Sequence, residues 1–254
     1  MSLDFRARTQ KLIFHDVEFD KFRGIMLLDE SVLNLLPTKP FSLSQISHPT
    51  AFETCMTTNK GLAMFATRDI VAGEIIHSEN PAVVVYPFLI LNFDMTQSNV
   101  YRTLFDRLDS PIRDQLLALN TGELSTACCV EEGIVRNNGF AIMLPIPVMD
   151  HAPESLHSGV FLDISRCNHS CNPNAFHEWD LPSFSLSISA RRHIRAGEEI
   201  TVAYVDPDLP RDERREKLKY MYNFDCECEI CAVEDKGRRV YCPLPSRVRQ
   251  KLEI

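Results

Sequence analysis

The chain has 254 residues, a formal net charge of -8, and is 44% hydrophobic and 24% charged. That suffices for one packed core with a smaller lobe, and the acidic balance disfavours a nucleic-acid binder working through a basic surface while suiting a lysine- or arginine-rich partner. No run of 18 apolar residues is available to cross a membrane, and the opening MSLDFRARTQ lacks the basic and apolar regions of a secretory signal.

The expected setting is therefore intracellular, nuclear or cytoplasmic, where thiols stay reduced. Residues 1–56 show no strong period and are broken by Pro37, Pro40 and Pro49. They read as loops and one or two short helices, an N-terminal extension of unassigned role. From Asn59 the texture changes to short apolar runs separated by Gly61, Gly73 and Pro81, which predicts consecutive strands joined by turns. Residues 97–120 carry Val100, Leu104, Phe105, Leu108, Ile112 and Leu116 at three-to-four spacing, which predicts a helix within an insert at about 87–135. Over 183–190, Phe184, Leu186, Ile188 and Ala190 alternate with serines, the pattern of a half-buried strand. A turn at RAGE and a second strand, ITVAYV, follow; Asp208 then stands where a helix over LPRDERREKLKYMY would want its N-cap. Many short strands with a few helices make the fold class α+β.

Nine cysteines in a reducing compartment are better explained by metal ligands and buried free thiols than by disulfides. The sharpest local signal is Cys226-Glu-Cys228-Glu-Ile-Cys231. Three thiols so close leave a tetrahedral zinc one ligand short, and Cys242, Cys167 and Cys171 are all candidates for the fourth. The second signal, RCNHSCNPN at 166–174, combines Asn, His, Ser and Pro in the manner of a turn rich in local hydrogen bonds.

Together these segments resemble the SET-domain protein lysine methyltransferases. NHSCNPNA (168–175), GEEITVAY (197–204), CECEIC (226–231) and NKGLAMFATRDIVAGEII (59–76) are similar to four motifs of that family, and they occur in the family's order. Asn59 departs from the pattern, since the family places glycine there. The group most similar splits its SET domain with a MYND zinc finger, but residues 77–135 offer only Cys128, Cys129 and His77, so that finger is absent.

The resemblance implies a SET fold of several small sheets over 57–224, a helical insert, and a zinc-binding post-SET segment and tail over 225–254. It further implies S-adenosylmethionine as cofactor, one structural zinc, and methyl transfer to lysine on a protein or peptide. Lys60, Gly61, Leu62, Asn168, His169 and Phe224 would contact the cofactor. Cys171, Cys226, Cys228 and Cys231 would hold zinc. Tyr204 and Tyr222 would be catalytic and, with Phe140, would wall a lysine channel. Competing readings are a cofactor-binding interaction module with little turnover and an enzyme acting on a small molecule. No direct nucleic-acid or membrane partner is expected.

Overall fold

The computed structural model describes residues 12–36, 50–86, 95–122, 128–145 and 154–232, with Leu43 and Leu124. Cys242 lies outside them.

The chain begins with an antiparallel hairpin, β1 (Leu12–Glu18) and β2 (Arg23–Asp29), followed by one helical turn, α1 (Glu30–Leu33), capped by Asp29 accepting from the Ser31 N–H at 2.9 Å. Among the described residues of 1–56 this corrects the reading as loops, while the short helix expected there is present as α1. All five central residues of β2, Gly24 to Leu28, are buried. A strand covered on both faces shows no polar alternation, so its sequence carries no period-two signal.

A second hairpin joins β3 (Phe52–Met56) to β4 (Leu62–Ala66). Its turn places the left-handed backbone on Gly61, φ 72°, so the departure at Asn59 does not bear on the conformation that needs glycine. Then come β5 (Ile75–Glu79), β6 (Val83–Val85) and the helices α2 (Gln97–Asp106), α3 (Ser110–Leu117) and α4 (Val130–Asn138). The helix expected over 97–120 is thus two. It breaks at Asp109, which precedes α3, because Pro111 starts a helix readily but cannot continue one.

Strands β7 (Phe140–Pro145) and β8 (Glu154–Val160) lead into a single 3₁₀ turn, Ile164–Arg166, and the two-residue β9 (Asn168–His169). The last elements are β10 (Ala175–Asp180), β11 (Ser185–Ala190), β12 (Thr201–Val202), α5 (Arg211–Tyr222) and α6 (Glu229–Ala232). The strand expected over 183–190 begins at Ser185, since Phe184 adopts φ 48°. Of the strand expected over ITVAYV, Thr201 and Val202 form β12, paired to β9. Asp208 is not the helix cap: its N–H donates to Asp206, and Pro210 takes the N-cap position.

Two sheets carry most of the strands, in the orders β1-β2-β6-β8-β7 and β10-β11-β5. The larger separates two apolar clusters. Met26, Leu28 and Val84 face one, with Ile142, Phe161 and Phe184; Ile25, Leu27, Val83 and Val85 face the other, where α2 packs Val100, Leu104 and Phe105. The period of two sends alternate residues of one strand into different cores.

Glu79, at the end of β5, fixes where the 3₁₀ turn begins. Its buried carboxylate accepts from the N–H groups of Asp163 and Ile164. Burial pushes its pKa up to about 7, against the His77 charge that favours ionisation. A carboxyl raised in the fold gives stability that is complete below its unfolded pKa and lost as pH climbs through the folded value. A glutamine here has no such dependence. The stability advantage of wild type over Glu79→Gln should therefore shrink by ~1–3 kcal/mol between pH 5 and pH 8, read by urea unfolding of both proteins. A gap that does not change with pH contradicts this account.

Candidate functional site

The site grows from two short segments held side by side. β9 and β12 pair in parallel, Asn168 beside Thr201 and His169 beside Val202. Asn174 fastens them: its Oδ1 accepts from the Thr201 N–H at 2.8 Å and its Nδ2 donates to the Glu199 carbonyl at 2.8 Å. The NPN turn thereby becomes a clamp on the strand that leads to Tyr204.

His169 is 7% exposed, and burial lowers its pKa to about 4. Its Nδ1 accepts from the Tyr204 backbone N–H at 3.0 Å, which puts the ring proton on Nε2. That nitrogen lies 3.3 Å from Cys171 Sγ and donates to it. Both nitrogens being committed, His169 can offer a ligand its backbone and ring face. The same bond explains why β12 is short, since the Tyr204 N–H turns to an imidazole instead of a neighbouring strand.

Four sulfurs gather beside it. The Sγ atoms of Cys171, Cys226, Cys228 and Cys231 all lie within 4.8 Å of one another. Cys171 is 3.9 Å from Cys226 and 3.5 Å from Cys231. A tetrahedron of ~2.3 Å metal–sulfur bonds has edges of about 3.8 Å, so the set suits one zinc ion. Hydrogen bonds from Cys171 and Cys226 hold the Cys228 thiol well below its ordinary range, while its partners and burial push Cys171 up. Cys167, the other described candidate, is buried elsewhere, its sulfur 3.6 Å from that of Met64.

At the C-terminal end of α5, Asn223 takes a left-handed conformation, φ 56°, and stops the helix. The reversal lays Phe224 against His169 and Tyr204, with ring centroids 6.1 and 6.5 Å away. Tyr222, one residue before the stop, packs 4.9 Å from Tyr204. The Tyr204 hydroxyl donates to the Cys167 carbonyl at 2.7 Å. Burial raises both phenols, Tyr222 to about 12, so neither is an anion or a base near neutrality.

Phe140, Tyr204 and Tyr222 line one cavity of about 240 Å³, together with Met221 and insert residues including Tyr101 and Arg136. Phe140 is held edge-on by Phe161 and His177, at 6.0 and 5.1 Å. Lys60, Gly61, Leu62, Asn168, His169 and Phe224 lie outside this lining. Two of them are joined through a residue given no role in the sequence reading: Glu199 accepts from Lys60 Nζ at 2.8 Å and from Asn168 Nδ2 at 2.9 Å. Arg214 was missed as well. It is 6% exposed and donates to the carbonyls of Pro207 and Leu209. A signal existed, because Arg214 stands four residues before the buried Leu218, on the same face of α5.

The model of the SET domain matches residues 61–205, more than half the chain. Histone-lysine N-methyltransferase set5 of Schizosaccharomyces pombe is 40% identical over 81 residues, covering 32% of this chain and 25% of its own length. Histone-lysine N-methyltransferase SMYD3 of Homo sapiens is 40% identical over 78 residues, 31% of this chain and 18% of that one. N-lysine methyltransferase SMYD2 of Homo sapiens is 33% identical over 104 residues, 41% of this chain and 22% of that one. This chain therefore matches about a quarter or less of the length of these relatives. The interlocked NHSCNPN and GEEITVAY segments stand inside the matched region, and the chain belongs to the SET-domain family.

Proposed function

We propose that this protein is a protein-lysine methyltransferase that uses S-adenosylmethionine, with one structural zinc on Cys171, Cys226, Cys228 and Cys231. The observation that carries the reading is the convergence of Phe140, Tyr204 and Tyr222 on one cavity, beside the β9–β12 pair. Proteins named histone-lysine and N-lysine methyltransferases are among its relatives, which supports the same class of reaction.

Residues suited to hold the cofactor are present. Asn168 spends its Nδ2 on Glu199, and its Oδ1, without a hydrogen-bond partner among the described residues, remains to accept from an ammonium. Lys60 offers a cation for a carboxylate. Exposed backbone at Gly61, where a Cβ would meet nothing within 4 Å, allows close approach, and Phe224 presents a ring. When bound, the cofactor supplies an electrophilic methyl group on a sulfonium.

The chain's own residues prepare the amine. The rings of Phe140, Tyr204 and Tyr222 on one wall of the cavity strip water from a lysine side chain, which favours its neutral form. Tyr222 and Phe140 give π faces to the ammonium on entry. Tyr204 stays a neutral phenol and acts by orientation, its ring fixed by the Cys167 carbonyl and by its own backbone bond to His169. The four cysteines shape the post-SET segment so that Phe224 and Tyr222 stay in place, a supporting role outside the chemistry. The net charge of -8 favours basic substrate segments, and eight free thiols among the described residues suit a nuclear or cytoplasmic setting. Among the described residues no helix is long and apolar enough to cross a membrane.

Two measurements test this reading. Elemental analysis of zinc-replete protein should give about one zinc per chain, falling to near zero in Cys228→Ser, because structural sites of this kind need all four ligands. Wild-type protein without zinc overturns the metal assignment. Tyr204→Phe should lower turnover on a methylated lysate substrate by roughly 10²–10⁴, while cofactor affinity by calorimetry stays within a few-fold. It should also cost ~1–3 kcal/mol of stability, since the Cys167 carbonyl loses its buried donor. Equal turnover in both proteins removes Tyr204 from the mechanism.

A further inference from the structure

β5 ends in a cluster that methyl transfer does not use. His77 and Glu79 stand two residues apart on the strand, so their side chains share a face. Asp163, just before the 3₁₀ turn, meets them there: one ligand atom from each of the three lies within 4.8 Å of the others. His77 Nε2 is 3.5 Å from Asp163 Oδ2.

Each of the three keeps a ligand atom that protein contacts leave open. His77 Nε2 is shut off from solvent and makes no hydrogen bond, even to the carboxylate beside it. A ring nitrogen buried in that way costs stability unless something else meets it. Asp163 holds the N-cap position of its turn, yet gives the turn no side-chain hydrogen bond. Glu79 caps the turn instead, taking the N–H groups of Asp163 and Ile164 on Oε1. Its Oε2 has only a longer contact, 3.3 Å, with the Asp163 N–H. One imidazole nitrogen and two carboxylate oxygens thus gather in one place without bonding to one another.

Donors on a tetrahedral ion are arranged in this manner. Bonds of ~2.0–2.1 Å to nitrogen and oxygen set neighbouring donors about 3.4 Å apart, each lone pair pointing at the ion and off the line to its neighbour. The 3.5 Å between Nε2 and Oδ2 fits that edge, whereas a hydrogen bond would need the ring N–H turned toward the oxygen. The imidazole disfavours calcium and magnesium, which take oxygen ligands, and favours zinc and its first-row neighbours.

We propose that His77, Glu79 and Asp163 bind one first-row divalent cation, at a site separate from the four cysteines. The Asp163 side chain is 45% exposed, which gives the ion a path from solvent and leaves a coordination position to water. The ion fastens the 3₁₀ turn to β5. Ser165, two residues beyond Asp163, lines the cavity and donates to the Asn138 carbonyl, so a fastened turn steadies that wall. The urea comparison of Glu79→Gln is accordingly made without added cation, since an ion on the carboxylate would keep it charged.

Equilibrium dialysis of the full-length protein against micromolar zinc, followed by elemental analysis, tests the site. Wild type should bind one equivalent more than His77→Gln and one more than Asp163→Asn. In calorimetric titration with zinc, each substitution should weaken that equivalent at least ~100-fold, because even the outer partners of metal ligands are worth about 10–100-fold. His193→Gln is the control: His193 and Asp69 form an exposed pair 3.7 Å apart, with no third ligand among the described residues, and its loss should change nothing. Cys228→Ser should also keep this equivalent, so the result stands whether or not the four cysteines hold zinc. Circular dichroism without zinc checks that the variants are folded; if His77→Gln is not, Asp163→Asn at its half-exposed position decides alone by the same readings. Equal zinc uptake by wild type and the two ligand variants overturns the proposal. So does an equal loss in His193→Gln, which marks adventitious binding to surface histidines.

Discussion

A single imidazole holds this site together. His169 takes the Tyr204 backbone N–H on one nitrogen and gives its proton to Cys171 on the other. Three stretches of chain distant in sequence meet there: the NHSC turn, the strand end that carries Tyr204, and the cysteine-rich segment after α5. Because burial keeps the ring neutral, its two nitrogens are different, one acceptor and one donor, and only that tautomer satisfies both neighbours. Protonating or replacing the ring would detach the tyrosine from the sulfurs. The aromatic contacts of Tyr204 with Tyr222 and Phe224 depend on the same anchor, since all three rings are close to His169 or to Tyr204 itself.

The cavity has a second support. Its walls come from β7 and β8 at one side and from the helical insert at another, and both rest on the five-stranded sheet. That sheet is completed by β1 and β2, which precede the matched SET region altogether. Gly24 shows how closely the early strand is fitted: a Cβ there would come within 2.9 Å of the Pro81 carbonyl. The N-terminal hairpin is therefore part of the scaffold that shapes the site. Its central strand contributes Met26 and Leu28 to one core, Ile25 and Leu27 to the other.

Charge is arranged with similar economy around the proposed cofactor residues. Glu199 bonds both Lys60 and Asn168, so one carboxylate fixes an exposed cation from the β3–β4 turn and an amide from β9. Neighbouring Glu198 turns the other way, to Asn174 and Arg192, and these partners hold its pKa down to about 2 despite partial burial. Two adjacent acidic residues just before β12 thus serve different partners.

Much of this was legible in the residues themselves. The cysteine spacing at 226–231, the NHSC turn and the helical period of the insert are local patterns, and local patterns survive in a linear sequence; the aromatic positions 140, 204, 222 and 224 came only with the resemblance those patterns carry. The family followed from their order. The fourth sulfur was open to Cys167, Cys171 and Cys242 on spacing alone. The fold places Cys171 among the other three and Cys167 against Met64, because a turn through Pro173 and a helix end at Asn223 bring residues far apart in sequence together. Nor could β2 be read, since a strand buried on both faces has no alternation; β1 is placed by its pairing with β2. The partners of Glu199, Asn174 and Arg214 were equally hidden: a polar residue's role depends on which distant group faces it, and only tertiary packing decides that.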